Sequence, residues 1–161
     1  MPLPPDDHRL RDDHHPTPFS AEEIRAACRP GRRSTYRVEQ AGGDPVLSVS
    51  EFVEGDAETG QFVATTTDLA GEPIGEPKRG SATWGDLQAH ASYPEDGTTV
   101  VEERREVPAG TYDCWRYTRS DGDTTTTAWF AKTLPGPPID RIVERDGTVI
   151  SRMVLLDVTE S

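Results

Sequence analysis

The chain has 161 residues, a length that suits one domain and hardly two. Its formal net charge of -12 repels phosphate backbones and anionic membrane surfaces, so nucleic acid is not an expected partner. Hydrophobic residues make up only 33 % of the chain, and no apolar run approaches the roughly 18 residues needed to span a bilayer.

Residues 1–18 are mostly proline, aspartate, histidine and arginine, and read as a disordered tail ahead of a single β-rich domain over 19–161. The opening MPLPPDDHRLRDDHH has no apolar stretch of the signal-peptide kind, so the sequence reads as cytoplasmic. Asp6, Asp7, His8, Asp12, Asp13, His14 and His15 are of metal-ligating type. A structural metal site needs ligands held in fixed geometry, and a solvated tail would hold none. No metal and no cofactor are expected.

Ordered structure is expected to start with a helix over 20–28. Ser20 and Glu23 form a capping box, Glu22 and Glu23 suit the positive end of the helix dipole, Ile24, Ala27 and Cys28 share a face, and Pro30-Gly31 stops the run. Arg25, Arg29, Arg32 and Arg33 form a local basic cluster here, but it is short and acidic residues follow it.

The pattern then changes to period two. Stretches 34–40, 45–54 and 61–69 are rich in β-branched residues and are joined by short connections bearing Gly and Asp, which predicts an antiparallel meander. Over 81–93 the spacing of Trp84, Leu87 and Ala91 predicts a second short helix, closed by Pro94. Strands resume at 98–107, 111–120, 124–134, 140–146 and 149–158. Helices that do not alternate with strands argue against a parallel sheet. The expected fold is mainly β (α+β): a curved antiparallel sheet or half-barrel of about eight strands, covered by two short helices.

A sheet covered on one side alternates cleanly between apolar and polar. Here Tyr112 and Cys114 oppose Trp115 and Tyr117, Ala128 and Phe130 oppose Trp129 and Ala131, and Met153 and Leu155 oppose Val154 and Leu156. Three strands thus carry apolar groups on both faces, and something must cover the second. The candidate covers are the protein's own helices, a partner subunit or an apolar ligand, so Tyr112, Trp115, Tyr117, Trp129 and Phe130 are the candidate ligand-binding residues.

Familiar catalytic motifs are absent from the sequence: there is no phosphate-binding Gly loop, H-E-x-x-H, C-x-x-C or G-x-S-x-G. Beyond the tail His90 stands alone, with Asp86 one helical turn earlier, and this pair supports only a minor alternative, a hydrolase-type enzyme. In 102–106 each glutamate has an arginine two positions away on its own face, the pattern of cross-strand ion pairs. Cys28 and Cys114 leave three readings open: buried free thiols, a disulfide if the first helix lies across the strand of Cys114, or a catalytic thiol, which the helix C-terminal end disfavours at Cys28. A reducing compartment disfavours the bridge.

The stretches FSAEEIRAACRPGR, GSATWGDLQAHASYP, VPAGTYDCWRYT and AWFAKTLPGPPI together resemble uncharacterised bacterial proteins of the DUF3108/TapB-like group. That resemblance implies a curved antiparallel sheet wrapped around helix, shaped like periplasmic carriers of the LolA/LppX kind, and it implies no catalytic residues. The combined expectation is a non-enzymatic binding or accessory domain, monomeric or homodimeric, whose apolar concave face takes an apolar small molecule or its own helix. The alternative is a protein-interaction module acting through its acidic surface.

Overall fold

A computed structural model describes residues 3–160. These residues are mainly β, with nine antiparallel strands and two short α-helices among them. In chain order these are α1 (Ala21–Ala27), β1 (Arg33–Gln40), β2 (Val46–Gly55), β3 (Thr59–Thr67), β4 (Lys78–Thr83), α2 (Trp84–Ala89), β5 (Thr98–Val107), β6 (Gly110–Asp121), β7 (Thr124–Ala131), β8 (Asp140–Arg145) and β9 (Thr148–Thr159). Eight of the strands lie where the alternation predicts them. The ninth, β4, is polar and sits at a sheet edge, so it buries too little to leave an apolar signature.

The strands form one open sheet in the order β4-β3-β2-β1-β9-β8-β7-β6-β5. Two meanders are therefore joined through the β1–β9 pair at mid-sheet. The order has a direct consequence. Strands β4 and β5 are consecutive in the chain but occupy opposite edges, so the segment between them must cross the whole sheet. It crosses on one face and carries α2 and Tyr93 with it. The sheet is curved: at the β5–β6 turn the Ala109 N–H donates to the Leu155 carbonyl of β9 at 3.3 Å.

Both helices pack on the concave face. The predicted capping box of α1 is present, with Ser20 Oγ accepting from the Glu23 N–H at 3.1 Å and Glu23 Oε1 accepting from the Ser20 N–H at 3.0 Å. Thr83 caps α2 by accepting from the Asp86 N–H at 3.0 Å. Phe19, Ile24, Cys28 and Trp84 meet Val100, Tyr117, Ala128 and Phe130 of the sheet in one buried cluster. Trp84 lies flat on the sheet because Gly60 beneath it has no side chain, and Phe62 lies likewise over Gly80, where a Cβ would sit 2.7 Å from the ring.

The segment 3–18 differs from its expected disorder. It packs as a strap across the β5 side of the concave face, and Pro16, Thr17 and Pro18 are fully buried. Tyr117 Oη donates to the Pro16 carbonyl at 2.6 Å, and the His15 N–H to the Tyr93 carbonyl at 2.9 Å. Gln88 of α2 donates to Thr17 Oγ1 at 3.0 Å and accepts from the Ala21 N–H at 2.9 Å, tying strap, α1 and α2 together. Composition missed this because the strap is held by prolines and hydrogen bonds and carries no apolar periodicity. The tail's histidines are used in the same way. His8 Nδ1 bonds the Thr17 carbonyl, His14 Nδ1 bonds Ser92 Oγ, and His15 Nε2 bonds the Thr98 carbonyl, at 3.0, 2.9 and 2.9 Å. Among the described residues no group of three or more His, Cys, Asp or Glu side chains converges as metal ligands do.

A candidate apolar binding cavity between the helices and the concave sheet

The helices span the curved floor without filling it. Between them and the sheet lies a cavity of about 330 Å³. Ile24 of α1 and Cys28 at its C-terminal cap, with Leu87, His90 and Ala91 of α2 and its C-terminal turn, form the roof. The floor is Ser50 and Phe52 of β2, Phe62 of β3, Phe130 of β7 and Arg141 of β8. Tyr93 closes one side and the loop Gly136, Pro137 and Pro138 another. The volume lies within the roughly 300–1,000 Å³ of small-molecule sites, and the lining is the usual one of apolar and aromatic groups with few polar ones.

The lining is held by aromatic contacts on both sides. Phe52 meets Phe62 at 6.1 Å between ring centroids and Trp84 at 6.0 Å. Tyr117 stacks edge-on against Phe130 at 5.4 Å and lies 5.6 Å from Tyr93. The proline loop is anchored from beneath, with Arg32 Nη1 donating to the Pro135 carbonyl at 2.7 Å and Tyr36 Oη to the Pro138 carbonyl at 2.9 Å. Arg32 is buried, so of the arginine cluster only Arg25, Arg29 and Arg33 are exposed.

The five aromatic candidates divide between the two faces. Trp115, Tyr117 and Phe130 lie on the concave side, and of these Phe130 alone lines the cavity. Tyr117 is sealed beneath the strap, where burial pushes its phenol pKa upward. Trp115 packs against Phe19 at 6.2 Å, with Lys132 Nζ 4.9 Å from its ring centroid. Tyr112 and Trp129 belong to the opposite face, in a cluster with Cys114, Ala131 and Val107.

That division also separates the cysteines. Cys28 sits in the concave cluster and Cys114 in the opposite one, and both are free thiols. The bridge contemplated from sequence is thus not formed, because the sheet lies between them. Burial raises the Cys28 pKa, opposed by Arg32, whose Nη1 donates to Sγ at 3.4 Å. Burial, aided by Asp113 and Glu103, pushes the Cys114 thiol up to about 11. Neither is an activated thiolate. His90 ends α2 and borders the cavity mouth as an exposed side chain, and it makes no ion pair with Asp86.

The opposite face is covered by charge. Asp140 is fully buried and accepts from Arg105 Nη2 at 2.9 Å and from Arg152 Nη2 at 3.1 Å. The Arg105 guanidinium lies 4.0 Å from the Trp129 ring centroid, and Trp129 Nε1 donates to Glu103, which also pairs with Arg116 at 2.7 Å. On the concave side Lys132 pairs with Glu102 at 2.7 Å. The glutamates of 102–106 that form pairs do so across strands.

No described helix is long and apolar enough to cross a membrane. No protein-family model and no curated protein matches the chain. Among solved structures the fold is similar to that in the crystal structure of MucB, with a TM-score of 0.54 and 10 % identity over 86 % of this chain. The match covers 56 % of that longer chain, and at this identity the likeness shows a shared fold alone.

Proposed function

We propose that this protein is a non-enzymatic binding module that takes an apolar small molecule between its helices and its concave sheet. The observation that carries this reading is the apolar cavity itself. Two helices, a strap and a proline loop enclose the concave face, yet their side chains leave about 330 Å³ unfilled. The pocket opens at His90, so its apolar walls meet water, and an apolar ligand would remove that surface from solvent.

The test is titration with a neutral, polarity-sensitive naphthylamine dye, comparing wild type with Ala91→Trp. The indole is aimed into the cavity from the end of α2. Wild type should bind the dye and brighten it, and the variant should lose binding while keeping its melting temperature. Equal dye binding by both proteins, or none by wild type, removes the reading.

A further inference from the structure

The apolar cavity does not end in solvent on all sides. It adjoins a second, polar pocket of about 370 Å³, and the two share Tyr93 and Arg141. The second pocket is completed by Arg119, Asp121, Thr124 and Thr126. The sheet register explains the shared arginine. Arg141 pairs with Ala128 on β7, which belongs to the concave cluster, so its side chain leaves the sheet on the helix-covered face. Arg119 pairs with Thr126 on that same face, two residues beyond Tyr117.

Arg141 is placed unlike four of the other partly buried arginines of the sheet. Arg37, Arg105, Arg116 and Arg152 each pair with a carboxylate at 3.1 Å or less. Arg141 makes no ion pair and no side-chain hydrogen bond among the described residues. Asp121 is the sole carboxylate in either lining, and it leans toward Arg119 at a loose 3.8 Å. A guanidinium beside an apolar wall, with no anion of its own, suits a ligand that brings one. In a chain of net charge -12 such a positive corner has a definite place and a definite polarity.

Resting on the reading of the cavity as a ligand site, we infer that its ligand is a single-chain anionic amphiphile of the fatty-acid class. The hydrocarbon chain lies between α1, α2 and Phe130, and the carboxylate lies at the junction of the two pockets against Arg141, with Arg119 behind it. The hydroxyls of Thr124 and Thr126 offer further donors to that head group.

The experiment compares three ligands with the same twelve-carbon tail class, dodecanoate, dodecanol and dodecyltrimethylammonium, by displacement of the neutral dye from wild type, Arg141→Gln and Arg119→Gln. Dodecanoate should bind wild type roughly tenfold more tightly than dodecanol, the size of effect one charge-assisted contact supplies. Arg141→Gln should bring dodecanoate down to the level of dodecanol without changing dodecanol, and Arg119→Gln should reduce the preference less. Equal binding of dodecanoate and dodecanol to wild type, or the cation binding best, overturns the anionic head group while leaving the apolar site standing. Dodecanoate preference that survives Arg141→Gln overturns the assignment to this residue. Failure of all three ligands on wild type removes the cavity reading as well. The wild-type comparison needs no variant to fold.

Discussion

Strands β5, β6 and β7 bury apolar side chains on both faces, and the two faces are covered in different ways. On the concave side Tyr117, Ala128 and Phe130 lie under helices and the strap. On the other side Trp129 lies under Arg105 and Glu103, Glu103 is paired to Arg116, and Arg105 and Arg152 converge on the buried Asp140. A helix is a stiff rod and cannot follow a curved floor, so it bridges and leaves space beneath. A guanidinium on a flexible stem lies down on the ring it covers. The stiff cover therefore produces an apolar cavity, and the flexible cover produces a charge network with a buried anion at its centre.

The largest way to break this comparison is Asp140→Ala. It strips the buried carboxylate from two partly exposed arginines and should cost about 2–3 kcal/mol in chemical denaturation, the size of effect expected when charge-assisted hydrogen bonds to a buried group are lost. A loss below about 1 kcal/mol would mean the network is a surface feature that contributes little.

A second experiment sets the two faces against each other directly. Ala131 is fully buried on the charge-covered face, whereas Ala91 borders the cavity. Ala131→Leu should cost about 1–3 kcal/mol through overpacking, and Ala91→Leu should be neutral or stabilising because the space exists. Similar losses in the two variants would show that the space beneath the helices is already occupied.

Much of this was legible from the residues. Alternation and turn chemistry located eight strands, and the Ser20–Glu23 box located α1. The parity of 112–117 and 128–131 correctly put Cys114 and Trp115 on opposite faces. Three kinds of information were missing. The strap is ordered by Pro16, Thr17, Pro18 and their hydrogen bonds, which a hydrophobicity count cannot register. Strand β4 is a polar edge. Above all, the β1–β9 pairing sends α2 across the sheet, and that non-local choice is what brings Phe52 and Phe62 to the same cavity as Phe130. Local patterns do not say what Phe52 and Phe62 face, so Phe130 was the one cavity residue among the five aromatic candidates. Arg141 was missed for a related reason: in sequence it is one charged residue in DRIVER, and its significance lies in the partner it lacks.

Two smaller effects sharpen the same contrast. Tyr117→Phe deletes the hydroxyl that donates to Pro16 and should loosen the strap by about 1 kcal/mol, read as faster proteolysis near residues 3–18 with the sheet intact. The alkaline limb of stability reports on the other face. Cys114 ionises at about 11 when folded and near 9.0 when unfolded, so the folded state holds its proton longer. Its contribution is complete below pH 9.0 and is lost as pH rises toward 11. Cys114→Ala should flatten the fall in stability across that window. An unchanged slope would assign the fall to the buried tyrosines Tyr36, Tyr93 and Tyr117, whose pKa values burial also raises.

Methyl-resolved NMR during titration with dodecanol tests most directly whether an apolar ligand enters beneath the helices. The predicted result is saturable shifts at Ile24, Leu87 and Ala91, with Val107, Ala131 and Val154 on the other face unmoved. Shifts confined to exposed Leu69, Ile74 and Val149, or no saturable shift at all, would contradict it.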